Sequence, residues 1–315
     1  LVAAWGAQED ARAARTRAQI VKLHELIMNR WESYRTRPVP IRIPPTAVAG
    51  QAASVRLAAL RQMMRRELPE RITDIDDLPT TTTFNVAVQP AGTLPATLPA
   101  SSLWRTYRRR VAATYSIPLN WNTSTSGFNW TTTHQGSECL YMILATMRDG
   151  DTNALDFLQT GEIGDVDEDG MPEILDAWGN PIWFLRWAPG FRSEIQKGDG
   201  DPTTDGNAGS WADPFDLLHA DPRWSDGNPG NDPYILFPLI YSAGRDEDLD
   251  VMINPYSIPN VDYSDSSQAA SGITNDPYLV ENVASPGPQV GWAGDVDADG
   301  YDGSQDNIYN HTLAY

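Results

Sequence analysis

The 315-residue sequence predicts an α+β fold, and three observations carry that expectation. Helical periodicity belongs to the first half of the chain and fades after residue 160. Strand candidates appear only beyond that point and are few, so any sheet is small. Gly and Pro, 24 of each, punctuate long polar stretches and make the protein loop-rich. Helices and strands in separate runs are the pattern of α+β proteins. The hydrophobic fraction of 41% is enough for a real core and speaks against overall disorder.

The elements follow in order. Residues 7–36 read as one long amphipathic helix. Ile20, Leu23, Ile27, Trp31 and Tyr34 recur at three- and four-residue steps, and no Gly or Pro interrupts between Ala7 and Arg37. Pro38, Pro40, Pro44 and Pro45 end it. Residues 50–70 read as a second helix, with Val55, Leu57, Leu60, Met63 and Met64 among Arg56, Arg61, Arg65 and Arg66. Residues 79–100 are rich in Thr and Pro and read as a loop or extended linker. Further helices are expected at 101–115 and 135–147, with irregular chain between them. Pro181–Trp187 and Tyr234–Ser242 are the two strand candidates. A polar insertion rich in Asp-Gly and Asp-Pro turns separates them, and residues 255–290 form another polar stretch.

The formal net charge of −19 is unevenly placed. Residues 1–120 carry 17 Lys+Arg and 9 Asp+Glu, a balance of +8, whereas residues 121–315 carry 6 and 33, a balance of −27. The basic residues are scattered along helices among acidic ones, so no nucleic-acid partner is expected, and the acidic half repels phosphate at long range. Attraction between basic and acidic halves of neighbouring subunits is a second reading. The acidic half needs counter-ions. Cys139 stands alone, which excludes an intrachain disulfide and a cysteine metal site. His24, His134, His219 and His311 lack metal-ligand spacing. No run of 18 apolar residues is present, so no membrane span is expected within these residues.

One motif occurs twice. Asp165-Val-Asp-Glu-Asp-Gly170 has Asp176 at the twelfth position, and Asp295-Val-Asp-Ala-Asp-Gly300 has Asp306 there. Calcium takes six to eight oxygens at short range. Carboxylates at positions one, three and five converge when Gly at six allows a sharp turn, and a carbonyl at seven and an acid at twelve close the shell. Asp165, Asp167, Asp169 and Asp176 are therefore candidate ligands of one calcium ion (Ca2+), and Asp295, Asp297, Asp299 and Asp306 of another. Asp at position twelve reaches less far than Glu and predicts weaker capture. The flanks do not form a helix–loop–helix pair, which favours a structural role, as in loop sites of extracellular proteins. Asp199, Asp201 and Asp205 form a weaker cluster.

Two segments carry a family resemblance: Asp176-Ala-Trp-Gly-Asn-Pro-Ile-Trp-Phe-Leu-Arg-Trp187 and Tyr241-Ser-Ala-Gly-Arg-Asp-Glu-Asp-Leu-Asp250. They resemble the C-terminal half of type IV pilin-like subunits, closest to the major pseudopilin of type II secretion. Asp306-Asn-Ile-Tyr-Asn-His311 resembles the close of large, planctomycete-type members. The resemblance covers residues 160–187, 234–250 and 295–311, and the N-terminal helix loosely. It implies a long N-terminal helix packed on a small antiparallel sheet, with Trp178 packing, Gly179 at positive φ and Pro181 opening the strand. It also implies a calcium loop after the last long strand, which places Asp246 and Asp248 as ligands, although Arg245 and Glu247 depart from the small residues common there. Residues 46–133 and 191–233 have no counterpart in small members. The resulting organisation is a spine helix over 1–45, an added helical region over 46–158 and a small-sheet and calcium-loop region over 159–315.

The implied function is structural, with no catalysis expected: an exported subunit, homo-oligomeric or assembled with related subunits in a pilus-like or pseudopilus filament. Leu1-Val-Ala-Ala-Trp-Gly reads as the tail of an apolar helix that would provide the only membrane contact. A calcium-dependent adhesin or glycan-binding protein is the alternative, with Trp121, Trp130, Trp211 and Trp224 as a stacking face, although loop-anchoring Trp is the commoner arrangement. A secreted hydrolase with structural calcium is the third reading. His134 and Cys139 suggest packing more than a catalytic dyad.

Overall fold

The computed structural model describes residues 2–76, 81–88, 92–197, 212–225, 232–253, 277–278, 290–296 and 299–313. Helix α1 (Val2–Ser33) is followed by α2 (Ala49–Glu67) and the short α3 (Thr73–Asp76). Strands β1 (Thr81–Val88) and β2 (Gly92–Pro99) come next, then α4 (Ser102–Tyr115) and α5 (Gln135–Leu144). The remainder holds short strands: β3 (Arg148–Asp149), β4 (Thr152–Asn153), β5 (Ile163–Gly164), β6 (Glu173–Ile174), β7 (Trp183–Leu185), β8 (Leu239–Ser242) and β9 (Ile308–Tyr309), before α6 (Asn310–Leu313). The mixed α+β class expected from the sequence is present, with a long N-terminal helix and small antiparallel sheets.

Within residues 79–100, which the sequence suggests are a loop or extended linker, 81–88 and 92–99 instead pair as antiparallel strands from Thr81↔Pro99 to Val88↔Gly92. The prolines did not break the strand because Pro95 and Pro99 share one exposed face, four residues apart. Ala96 and Leu98 on the other face are buried. That face packs on α2.

The largest sheet among the described residues has the order β7-β8-β9, all antiparallel. Side chains alternate across it, as strand geometry requires. Phe184, Ile240 and Ile308 enter the main core with α1, α2 and α5, whereas Trp183, Leu185, Leu239, Tyr241 and Tyr309 form a second cluster with Phe191, Val251 and Val290. Both faces of this sheet are therefore covered. The main core runs from Ile20 to Ile308 and draws on all three regions inferred from the sequence.

Helix α1 and the turn that ends it bury the predicted stripe: Ile20, Leu23, Ile27, Trp31 and Tyr34 are each at most 1% exposed. The helix contacts β8, β9 and α6, and His24 in its C-terminal half meets Asn310 of α6 (2.9 Å). Residues 5–15 are exposed or half-buried. Three polar ties fix the helix on the turn after β6. Ala177 N donates to Thr16 Oγ1 (3.1 Å), Gln19 Nε2 to the Leu175 carbonyl (2.9 Å), and Trp178 Nε1 to Glu9 (2.9 Å). Buried charge joins α2 and α3 to the sheet. Arg186, just past β7, reaches Asp74 (3.0 Å) and Glu70 (3.3 Å), and Arg65 also pairs with Asp74 (2.5 Å). No helix among the described residues is long and apolar enough to cross a membrane.

Candidate metal centre

The first acidic loop joins β5 to β6, which pair Ile163↔Ile174 and Gly164↔Glu173. It is a hairpin connection and not a link between helices. Glu168 (φ 57°) and Gly170 (φ 100°) turn the chain through left-handed conformations, the second one costly for any residue but Gly. The reversal folds the acids inward. Gly170 N donates to Asp165 Oδ2 (3.1 Å), Met171 N to Asp169 Oδ1 (2.9 Å) and Val166 N to Glu173 Oε2 (3.0 Å).

Helix α5 supplies a further acid. Ser137 Oγ donates to the Ile174 carbonyl (3.2 Å) and accepts from Ile174 N (3.1 Å), which seats the first turn of α5 on β6. Glu138, the next residue, then faces the loop. Two sets of carboxylates each bring one oxygen per residue within 4.8 Å of the others: Glu138, Asp167 and Glu173, and Asp165, Asp167 and Asp169. Either could hold a metal ion.

The orphaned atoms mark where such an ion would sit. Glu138 and Glu173 are both 0% exposed, yet Oε1 of each, and Oδ1 of Asp167, is buried without a hydrogen-bond partner. Leaving charged oxygens buried and unpaired is costly. Their outer oxygens are occupied. Trp130 Nε1 donates to Glu138 Oε2 (2.6 Å), Thr131 Oγ1 to Asp167 Oδ2 (2.6 Å), and Thr131 N to Asp169 Oδ2 (2.6 Å). Burial, reinforced by Asp169, Glu173 and Asp167, pushes the Glu138 carboxyl up to about 10 despite the Trp130 hydrogen bond. Glu173 rises to about 7, chiefly by burial, with Asp167 and Asp165 adding to it. Asp169 also rises, again through burial first. Without a cation, Glu138 holds a proton at neutral pH and Glu173 is partly protonated. The donors are all carboxylate oxygens, which suits a hard cation.

Asp176 has a different place. Its Oδ1 accepts from the backbone N–H of Trp178 (2.8 Å), Gly179 (2.9 Å) and Asn180 (2.9 Å), and its Oδ2 accepts from Ser242 Oγ (2.6 Å). It ties the Trp-Gly-Asn-Pro turn to β8 and belongs to neither carboxylate set. Glu173, at the ninth loop position, and Glu138, from another element, converge with Asp167. Gly179 has the expected positive φ (99°), and Pro181 bridges to Leu175 just ahead of β7.

The second loop repeats the local pattern. Gly300 N donates to Asp295 Oδ2 (3.1 Å), and Tyr301 N to Asp299 Oδ1 (2.7 Å). Its ninth position is Gly303, and the missing acid comes from elsewhere. Asp250 accepts from Val296 N (2.9 Å) and Gly303 N (2.9 Å), so its link to Val296 matches that of Glu173 to Val166. A Cβ at Gly303 would lie 2.7 Å from the Asp248 side chain. Asp246 accepts from Tyr301 Oη (3.2 Å) and from Asp248 N (3.2 Å). Burial and the adjacent Asp246 raise the Asp306 carboxyl. The two acidic segments inferred separately, 246–250 and 295–306, thus meet, although only carboxylates of the first site reach the 4.8 Å convergence among the described residues. Asp297, Asp199, Asp201 and Asp205 lie outside the described residues.

Among the described residues, the tryptophans of the expected stacking face do not form one open surface. Trp121 and Trp130 are buried, Trp224 stacks on His219 with ring centroids 4.0 Å apart, and Trp211 is outside the described residues. Comparison with protein-family models, with curated proteins and with solved structures finds no match.

Proposed function

We propose that this chain is a calcium-stabilised, exported subunit of a pilus-like or type II secretion pseudopilus filament. The observation that carries the reading is α1. The helix packs on β8, β9 and α6, and its C-terminal half is buried in the main core, while residues 5–15 are mostly exposed. This is how a pilin-like head holds a spine that continues into a filament core. The Asp176 turn, stitched to α1 through Thr16, Gln19 and Glu9, supports the same reading.

Calcium is the cation the first site suits, with Asp165, Asp167, Asp169, Glu173 and Glu138 as its holders. Bound there, it would neutralise the facing carboxylates and lock α5 to the β5–β6 hairpin. A head locked in one conformation loses less entropy when it packs against its neighbours. The role is structural and not catalytic. An adhesive role for the same subunit is compatible with filament assembly.

Cysteine cross-linking in the native cell tests the filament reading. The lone native thiol, Cys139, is buried, so introduced thiols report cleanly. Asp10→Cys or Ala14→Cys, placed on exposed positions of α1, is expected to give an oxidation-dependent ladder of oligomers in the surface fraction. Monomer alone at both positions, from a protein with no apolar helix ahead of Leu1, would refute it.

A further inference from the structure

A cavity of about 520 Å³ lies between the α2–α3 turn, the segment preceding α5 and strand β7. Its size falls within the range of small-ligand sites, about 300–1,000 Å³. Phe128 and Trp130, from the segment before α5, and Trp183, from β7, supply its apolar wall. Gln135 and Thr73 supply polar groups. Gln135, a lining residue, accepts from Ile72 N through Oε1 (3.0 Å), and Thr73 Oγ1 is buried without a partner. The charged lining residues, Glu70 and Arg71, pair with each other (3.2 Å), and Glu70 also meets Arg186.

That lining selects a class of ligand. The opposed charges of Glu70 and Arg71 offer no net attraction to an anion such as phosphate. A purely apolar ligand would leave the Thr73 hydroxyl and the Gln135 amide unpaired, at a cost. A neutral ring with one apolar face and several hydroxyls satisfies both walls. We propose that this cavity binds a single neutral pyranose unit of a saccharide.

The site is mechanically joined to the metal centre. Trp130, a wall of the cavity, donates its indole N–H to Glu138. Thr131, between lining residues Trp130 and Thr132, is held by Asp167 and Asp169. The carboxylates that would face the cation therefore fix the cavity rim. Calcium dependence of binding rests on the metal centre proposed above, whereas saccharide binding itself is independent of it and of filament assembly.

Isothermal titration of the full chain tests this, with glucose, galactose, mannose and N-acetylglucosamine as probes, in calcium and in chelator. At least one probe is expected to saturate the protein at a Kd below about 1 mM in calcium. Gln135→Glu keeps the oxygen that accepts from Ile72 but removes the amide donor. It and Thr73→Val are each expected to weaken binding about tenfold without shifting thermal unfolding. Chelation is expected to weaken binding by a similar factor. Absence of binding by all four probes at about 20 mM with calcium present, or binding indifferent to both substitutions, overturns the assignment and leaves a water-filled void. Affinity unchanged by chelation overturns the link to the metal centre.

Discussion

Replacing Glu138 by Gln separates a metal ligand from a merely buried acid. In the absence of a cation the Glu138 carboxyl, raised to about 10, is protonated at pH 7, and Gln reproduces its shape and neutrality. The Gln carbonyl can still accept from Trp130 Nε1. Apo stability should therefore change by less than about 1 kcal/mol. With calcium the outcome differs. For a Kd of about 10 µM and about 1 mM free calcium, the bound ion stabilises the wild-type chain by about 2.7 kcal/mol. At about 2–4 °C per kcal/mol for a chain of this size, that is a Tm rise of about 5–10 °C. Loss of one carboxylate that lowers affinity tenfold reduces the increment to about 1.4 kcal/mol. Differential scanning calorimetry in calcium and in chelator reads all four states.

A proton count checks the same centre independently. Calcium must displace the proton on Glu138 and about half a proton on Glu173, whose carboxyl lies at about 7. Release of about 1.5 protons per ion at pH 7 follows, measurable by titration in buffers of different ionisation enthalpy. Equal calcium increments in wild type and Glu138→Gln, with no proton release, would refute the reasoning. So would an apo variant destabilised by several kcal/mol.

Asp176→Ala should lower stability by about 2–4 kcal/mol, because three backbone donors and Ser242 lose their acceptor, while leaving calcium affinity at the first loop intact. Reduced affinity there would return Asp176 to the ligand set. Asp250→Ala strips the acceptor from Val296 N and Gly303 N, with an expected loss of about 1–3 kcal/mol in urea denaturation. At Asp74, burial acts to raise the carboxyl, but Arg186 and Arg65 outweigh it and hold the group well below the ordinary carboxylate range. Asp74→Ala strands these buried cations and should cost about 3–5 kcal/mol, whereas an effect below about 1 kcal/mol would show that the network is not a strut. Burial depresses His311 from 6.5 to about 4, despite its hydrogen bond to the Pro238 carbonyl. A base whose folded value lies below its unfolded one takes up its proton first in the unfolded state. Its contribution is thus complete above pH 6.5 and falls away between pH 6.5 and 4. His311→Gln should flatten a drop of up to about 3 kcal/mol across that window.

Local order was legible in the sequence. The α1 stripe from Ile20 to Tyr34 needs only a period near 3.6, and each of its apolar residues is buried. The α4 and α5 segments, the β7 and β8 strands and the two tight Asp-Gly turns are equally local, since each depends on neighbours a few residues away. The β1–β2 hairpin was not legible, because Pro95 and Pro99 break a pattern in one dimension and share an exposed face in three. Convergence of acids could be read only within a loop. Glu173 had a signal in its ninth position, but Glu138 had none, as it reaches the site only because Ser137 seats α5 on β6. Asp250 likewise meets the second loop only through the packed segment after β8. Asp176, spaced like a ligand, was claimed instead by the Trp178–Asn180 amides and Ser242, which offered it hydrogen bonds at 2.6–2.9 Å. Sequence spacing decides which carboxylates can approach one another along the chain, and the tertiary structure decides which of them are left buried and unpaired, because pairing is settled by groups that chain order keeps far apart.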